Sequence, residues 1–249
     1  MCNFKTHLRH QTRKMRTVFP LAKPITVPVI GSSLLYPVRR VYCVGQNYES
    51  HQKEMGNTNK APPFFFMKPA DAVIPGGIVP YPSMTKNYHF EVELVIAMGK
   101  PVTGRNMTPA ESTAAVFGYA VGIDFTRRDL QAEAKKTGRP WEMGKSFDAS
   151  APMSAITPAT AWATGTQPIE LKVNGVVKQK ATLNEMIWDV PAIIAELSRF
   201  VTLEAGDLIM TGTPAGVGAV VVGDVVDCSI EGIEALQVVV GAPLGPSKL

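Results

Sequence analysis

Apolar positions along this chain fall in short runs, some alternating with polar residues and some continuous, cut by glycine, proline and asparagine, so strands are predicted more often than helices. Strands are predicted at residues 39–44 (RRVYCV), 64–67 (closed by Lys68-Pro69), 87–100 (NYHFEVELVIAMGK) and 117–123 (FGYAVGI, which delivers Asp124 at its end). Three more fall at 207–210, 224–230 and 235–240, and Asn174-Gly175 inside 171–177 is a strong short-range hairpin signal. Helical patterns are few: a short polar helix at 47–55, one stopped by Gly138-Arg139-Pro140 at 127–136, and one at 189–200 with Pro191 in its first turn. Thr108-Pro-Ala-Glu111 is a capping box with proline at the first helical position, so a helix starts there. With no internal repeat and no low-complexity linker, the simplest organisation is a basic, unstructured leader over residues 1–17 followed by one β-rich α+β domain over 18–249.

The segment 87–100 would be one long apolar strand but for Glu91 and Glu93. Residues two apart in a strand share a face, roughly 7 Å from each other. Two carboxylates there repel by about 2 kcal/mol at an effective dielectric near 20, and drift toward protonation unless water or a cation answers them. Phe90, Val92, Leu94 and Ile96 occupy the opposite face, as in a half-exposed antiparallel strand whose glutamates meet solvent. Against that, Val95 and Ala97 continue the glutamate face with apolar residues. The strand alone leaves both readings open.

The length of 249 residues allows a substantial core, and 45% hydrophobic with 18% charged residues describes a compact chain. The formal charge of +4 says little about partners. Five of the 25 basic residues (Lys5, Arg9, Arg13, Lys14, Arg16) lie in the acid-free first 16, which leaves 20 basic against 21 acidic residues in the body. That balance gives no nucleic-acid footprint, and no apolar run reaches membrane-spanning length. Cys2, Cys43 and Cys228 are scattered, which fits a reducing compartment and argues against a thiolate zinc site. The chain ends in Ser247-Lys248-Leu249, the import tripeptide of peroxisomes and related organelles such as glycosomes; the basic start makes a mitochondrial or cytosolic location the alternative.

Glu91, Glu93 and Asp124 together would form an all-oxygen site suited to magnesium, manganese or calcium rather than zinc. Lys68, Arg128 and Lys145 are candidate cations for an acidic substrate, although any one of them could be a solvated surface charge. His51 and Glu54 share a helix face at a spacing of three; the pair is either an ordinary surface contact or a carboxylate-supported general base able to activate water. Gly212 to Gly218 (GTPAGVG) lacks the ending of a phosphate loop and reads as a tight turn that brings Thr213 to a ligand. Cys43 has no partner for covalent thiol catalysis.

Six ordered blocks, VGQNYESHQKEMG, PPFFFMKP, YPSMTKNYHFEVELVIAMGK, GYAVGIDFTRRDLQ, WEMGKSFDASAPMS and LIMTGTPAGVG, closely resemble the fumarylacetoacetate hydrolase superfamily, in particular its acylpyruvate hydrolase and oxaloacetate decarboxylase branch. The resemblance implies a mixed β-sheet roll with a few short helices, a homodimer, and a small 2-oxo acid substrate. It implies Mg2+ or Mn2+ on Glu91, Glu93 and Asp124, and water activation by His51 and Glu54 on a lid-like helix. It implies that Lys145 meets substrate oxygens, that Arg128 and Gln131 contact substrate, and that Lys68 and Thr213 are further ligand-side positions. The implied reaction is hydrolysis of acylpyruvates to pyruvate and a carboxylic acid, with decarboxylation of oxaloacetate as a second use of the site. Oxaloacetate tautomerase, 2-oxo acid hydratase and non-catalytic 2-oxo acid binder are the alternatives. Family members often carry arginine where this chain has Gln46, a departure that bears on how the substrate is anchored.

Overall fold

A computed structural model describes residues 17–56, 62–103 and 107–244. The leader up to residue 16 and the terminal Ser247-Lys248-Leu249 lie outside the described residues. The central feature is an eight-stranded mixed sheet in the order Phe64–Lys68, Arg40–Gly45, Asp207–Met210, Val92–Met98, Val116–Ile123, Ala151–Met153, Val73–Pro75, with Thr157–Pro158 also on Val116–Ile123. A five-stranded sheet runs Val176–Thr182, Pro168–Val173, Val225–Ile230, Leu236–Gly241, Gly77–Pro80, and a three-stranded one joins Thr126–Arg127, Tyr88–Phe90 and Gly218–Ala219. Among the described residues no helix is long and apolar enough to cross a membrane.

Val92–Met98 explains the architecture in miniature. Val92, Leu94, Ile96 and Met98 face the large core with Ile169, Leu171, Ile193 and Val226, while Val95 and Ala97 face a smaller core with Val41, Cys43, Ala120 and Met210. Every residue of the strand is buried, each large aliphatic side chain contributing about 1.5–3 kcal/mol on removal from water. The half-exposed reading of this segment therefore fails: the glutamate side of the strand runs into a second apolar layer. The single strand expected over 87–100 is also broken at Glu91, with Tyr88–Phe90 in the three-stranded sheet and Val92–Met98 in the eight-stranded one.

Local signals act as chemistry dictates. Thr108 and Glu111 form the reciprocal capping box, and Pro109 opens the Pro109–Ala114 helix. Asn174 and Gly175 both take positive φ (51° and 78°), the geometry of a two-residue hairpin turn between Pro168–Val173 and Val176–Thr182. Asp189 caps Val190–Leu197 by accepting from the Ala192 N–H at 2.9 Å; this helix is shorter than expected at both ends. The 47–55 helix is likewise shorter, Glu49–Glu54, because Asn47 is drawn into the core.

Candidate active site

Two neighbouring strands change sheet at the same point. Val116–Ile123 pairs with Val92–Met98 in one sheet, Thr126–Arg127 with Tyr88–Phe90 in another, and the Asp124 N–H donates to the Glu91 carbonyl at 2.8 Å across the seam. The crossing turns the carboxylates of Glu91, Glu93 and Asp124 together, one oxygen of each lying within 4.8 Å of the others. All three residues are buried.

Buried cations surround this trio. Lys145, on the four-residue helix Glu142–Lys145, places Nζ 2.8 Å from Glu91 Oε2, 2.6 Å from Asp124 Oδ2 and 2.7 Å from Thr126 Oγ1. Lys68 Nζ lies 2.8 Å from Asp124 Oδ1, in an ion pair outside hydrogen-bond alignment, and donates to the Phe125 carbonyl at 3.2 Å. Arg128 pairs with Glu91 through Nη2, donates to Gln131 Oε1 at 2.6 Å through Nη1 and to His89 Nδ1 at 3.3 Å through Nε. Burial alone would push the Glu91 carboxyl up, but Lys145 and Arg128 together hold it below the ordinary carboxylate range. Burial likewise pulls the Lys145 ammonium down, and Asp124 with Glu91 outweighs it, so its pKa is raised.

Glu93 differs. It has no ion pair among the described residues, its Oε2 accepts only from the Gly212 N–H at 2.7 Å, and its carboxyl is pushed well above the ordinary value by burial and then by the charges of Asp124 and Glu91. A buried carboxyl between two carboxylates calls for a proton or a cation. Oxygen donors of this kind fit magnesium or manganese.

The other side of the cleft carries His51, whose Nδ1 lies 2.9 Å from Glu54 Oε2, while Glu54 Oε1 accepts from the Gly216 N–H at 3.0 Å. A carboxylate only accepts, so Nδ1 carries the proton and Nε2 is left as the acceptor. The 211–216 loop is shaped by Gly212, whose φ is 96° and whose missing Cβ would lie 2.7 Å from the Asn47 Cβ. Asn47 ties this loop down, donating to the Thr211 and Trp188 carbonyls at 2.8 and 2.9 Å and accepting from the Trp188 N–H at 2.8 Å.

His51, Glu91, Glu93, Asp124, Arg128, Gln131, Lys145 and Thr213 all line one cleft, with Glu54 behind His51 and Lys68 behind Asp124. Gln46 also lines it, in a left-handed backbone conformation (φ 58°) that few non-glycine residues adopt. Three contributors escaped the sequence reading: Asn47, His89 and Gln179. Gln179, fully buried on Val176–Thr182, accepts from the Val92 N–H at 2.9 Å and donates to Thr213 Oγ1 and the Pro214 carbonyl, both at 2.8 Å. A β-bulge between Leu171 and Lys172 sits beside it in the hairpin register. Of the three, only His89, between Tyr88 and Phe90, stands in the sequence as a polar group between aromatic neighbours; Gln179 lies between Lys178 and Lys180 and Asn47 between Gln46 and Tyr48, where an amide carries no signal.

Comparison with known proteins fits this geometry. The profile described as fumarylacetoacetate (FAA) hydrolase C-terminal matches residues 40–241. The chain belongs to the fumarylacetoacetate hydrolase family. That match encloses all ten candidate residues, from His51 to Thr213. Among family members, a fumarylpyruvate hydrolase of Ralstonia sp is 45% identical over 179 residues, covering 72% of this chain and 92% of its own. A mitochondrial oxaloacetate tautomerase of Rattus norvegicus is 41% identical over 201 residues, 80% of this chain and 90% of its own. The crystal structure of fumarylpyruvate hydrolase from Pseudomonas aeruginosa in complex with Mn2+ and pyruvate aligns at a TM-score of 0.88 and 44% identity, covering 91% of this chain and all of that one. The α+β fold, a mixed curled sheet with few short helices, is thus the family fold.

Proposed function

We propose that this protein is a divalent-cation-dependent hydrolase that splits acylpyruvates into pyruvate and a carboxylic acid, with magnesium or manganese as the cation. The observation that carries the proposal is a buried Glu93, without an ion pair among the described residues, beside Asp124 and Glu91 and in one cleft with the His51–Glu54 pair. Glu91, Glu93 and Asp124 would hold the cation, which when bound supplies Lewis-acid polarisation of the substrate's carboxylate and 2-oxo oxygens.

The chain's own groups do the rest. His51, fixed through Nδ1 by Glu54, takes a proton from water at Nε2 as the water oxygen attacks the acyl carbonyl carbon. Lys145 exchanges one of its three hydrogen bonds, to Glu91, Asp124 or Thr126, for one to the oxygen on which charge develops. Collapse of the adduct breaks the bond between the acyl carbon and the methylene carbon. The electron pair passes to the methylene carbon, which is conjugated with the 2-oxo group and is then protonated to give pyruvate. Arg128 and Gln131, already bonded to each other, orient the substrate; Lys68 fixes Asp124; and Thr213 closes the loop side.

Oxaloacetate is a second substrate by the same reasoning, because loss of carbon dioxide or keto–enol exchange needs no attacking water. The carboxylate trio and the base pair stand on separate elements, so the two chemistries are separable. The test is pyruvate release from acetylpyruvate and oxaloacetate with magnesium, comparing the parent with Glu91→Ala and His51→Ala. Glu91→Ala should abolish both activities. His51→Ala should lower acetylpyruvate hydrolysis by about 10²–10⁴-fold, as for loss of a general base, and affect oxaloacetate far less. Parental hydrolysis in His51→Ala would remove it as the base.

A further inference from the structure

Arg128 is held at three points, and one of them is a histidine that no step of the hydrolysis uses. Its guanidinium donates through Nη2 to Glu91, through Nη1 to Gln131 Oε1 at 2.6 Å and through Nε to His89 Nδ1 at 3.3 Å. A ring nitrogen that accepts carries no proton, and His89 Nε2, 2.8 Å from Asn87 Oδ1, faces an amide oxygen that only accepts. The ring is therefore neutral, with its proton on Nε2 and the Nδ1 lone pair aimed at Arg128.

The surrounding structure fixes the ring in that place. His89 is the middle residue of Tyr88–Phe90, paired with Thr126 on one side and Ala219 on the other. Asn87, which sets the tautomer, also accepts the Arg128 N–H on its carbonyl at 2.9 Å and donates its own N–H to Thr85 Oγ1 at 3.0 Å. Thr85 in turn donates to Asp129 Oδ1 at 2.6 Å. Imidazole, amide and the start of the Arg128–Thr137 helix thus form one hydrogen-bonded unit.

Glu91 is the contested group. Among the described residues it is the one carboxylate paired with Arg128; it also accepts from Lys145, and it belongs to the trio that would hold the cation. The Arg128 side chain is 12% exposed and that of Glu91 6%, so a guanidinium N–H that lost its acceptor would find little water and would settle more closely on Glu91. A divalent cation would then have to displace it. With His89 in place Arg128 keeps an uncharged acceptor, and Glu91 can turn to a cation while the guanidinium stays in the cleft.

We propose that His89 is a positioning residue whose neutral Nδ1 holds Arg128 back from Glu91, so that the carboxylate trio can take its cation without losing the guanidinium from the cleft. The proposal rests on the reading of Glu91, Glu93 and Asp124 as cation ligands. Its test is magnesium affinity by calorimetry, without substrate, in the parent and in Glu91→Ala, Arg128→Ala, His89→Gln and His89→Asn. Glutamine sets its amide nitrogen near the place of Nε2, which keeps the bond to Asn87 and loses the acceptor for Arg128. Asparagine sets its carbonyl oxygen near the place of Nδ1 and keeps that acceptor.

His89→Gln should weaken magnesium binding by about 5- to 30-fold, a large part of one hydrogen bond to a charged group, and His89→Asn should stay within about 2-fold of the parent. Added to Arg128→Ala, His89→Gln should change nothing further, because its effect passes through the guanidinium. A histidine that only held the strand together would give equal losses in the Gln and Asn variants, and the same loss with Arg128 absent. Either result, or parental affinity in His89→Gln, overturns the role of His89. Parental affinity in Glu91→Ala would instead overturn the cation reading, and the role of His89 with it.

Discussion

Gln179 is far from the three carboxylates in sequence and its hydrogen bonds go to Val92, Thr213 and Pro214 rather than to any of them, yet replacing it should be among the more damaging changes near the site. Gln179→Leu keeps the volume and removes one acceptor and two donors. The Val92 N–H and the Pro214 carbonyl are then buried without a partner, and neither can turn away; the Thr213 hydroxyl can rotate toward another acceptor. At about 1–3 kcal/mol for each unsatisfied buried group, less the gain from an apolar side chain in an apolar setting, the net loss is roughly 2–4 kcal/mol. Urea unfolding at fixed magnesium measures this directly. Hydrogen exchange at Gly212 and Gly216 should rise in parallel, because Gln179 fastens the loop that carries both amides. Gln179→Glu gives a sharper test. A protonated glutamic acid reproduces one donor and one acceptor, whereas the carboxylate has no donor for Pro214 and its burial raises the folded-state pKa. That variant should therefore be least impaired at low pH and lose stability as pH rises through the raised value. A Gln179→Leu protein within about 0.5 kcal/mol of the parent, with unchanged exchange at the two glycines, would falsify the reasoning.

Lys145→Met removes the shared countercharge of Glu91 and Asp124 and should cost about 3–5 kcal/mol in cation-free protein, a fall in Tm on the order of 6–20 °C; saturating magnesium should recover part of it, and an unchanged cation-free Tm would refute the buried-pair account. The raised Glu93 carboxyl gives a pH signature. A carboxyl whose folded pKa exceeds its unfolded one contributes stability that is complete below the ordinary carboxylate range and lost as pH rises toward the folded value. Cation-free protein should thus lose Tm across that rise while the increment in Tm from magnesium grows, and a pH-independent increment in scanning calorimetry would count against Glu93 as a ligand.

Much of this was legible because its physics is local. The capping box at Thr108, the Asn174-Gly175 turn and the alternation of Val92–Met98 are decided by residues within a few positions of each other. What stayed hidden depends on pairing distant in the chain. Glu93 was ambiguous because its strand face begins at a polar cleft and ends in the smaller core, which no periodicity can distinguish from a wet face. Gln179 meets Val92 across 87 residues and Asn47 meets Thr211 across 164, so neither partnership leaves a trace in spacing. The break at Glu91 was missed because both halves obey strand patterning; only the neighbours that each half chooses reveal the seam.

The His51–Glu54 pair reaches the rest of the cleft from a six-residue helix, tied to the 211–216 loop by the hydrogen bond that the Gly216 N–H donates to the Glu54 carboxylate, while the carboxylate trio is built into the crossing of two sheets. For a lineage of such proteins this is a division between chassis and attachment. On the proposed mechanism, edits to a handful of residues on that helix would add or delete water attack without disturbing the carboxylate end of the cleft, so descendants of one ancestor would exchange bond cleavage for enol chemistry without rebuilding the fold.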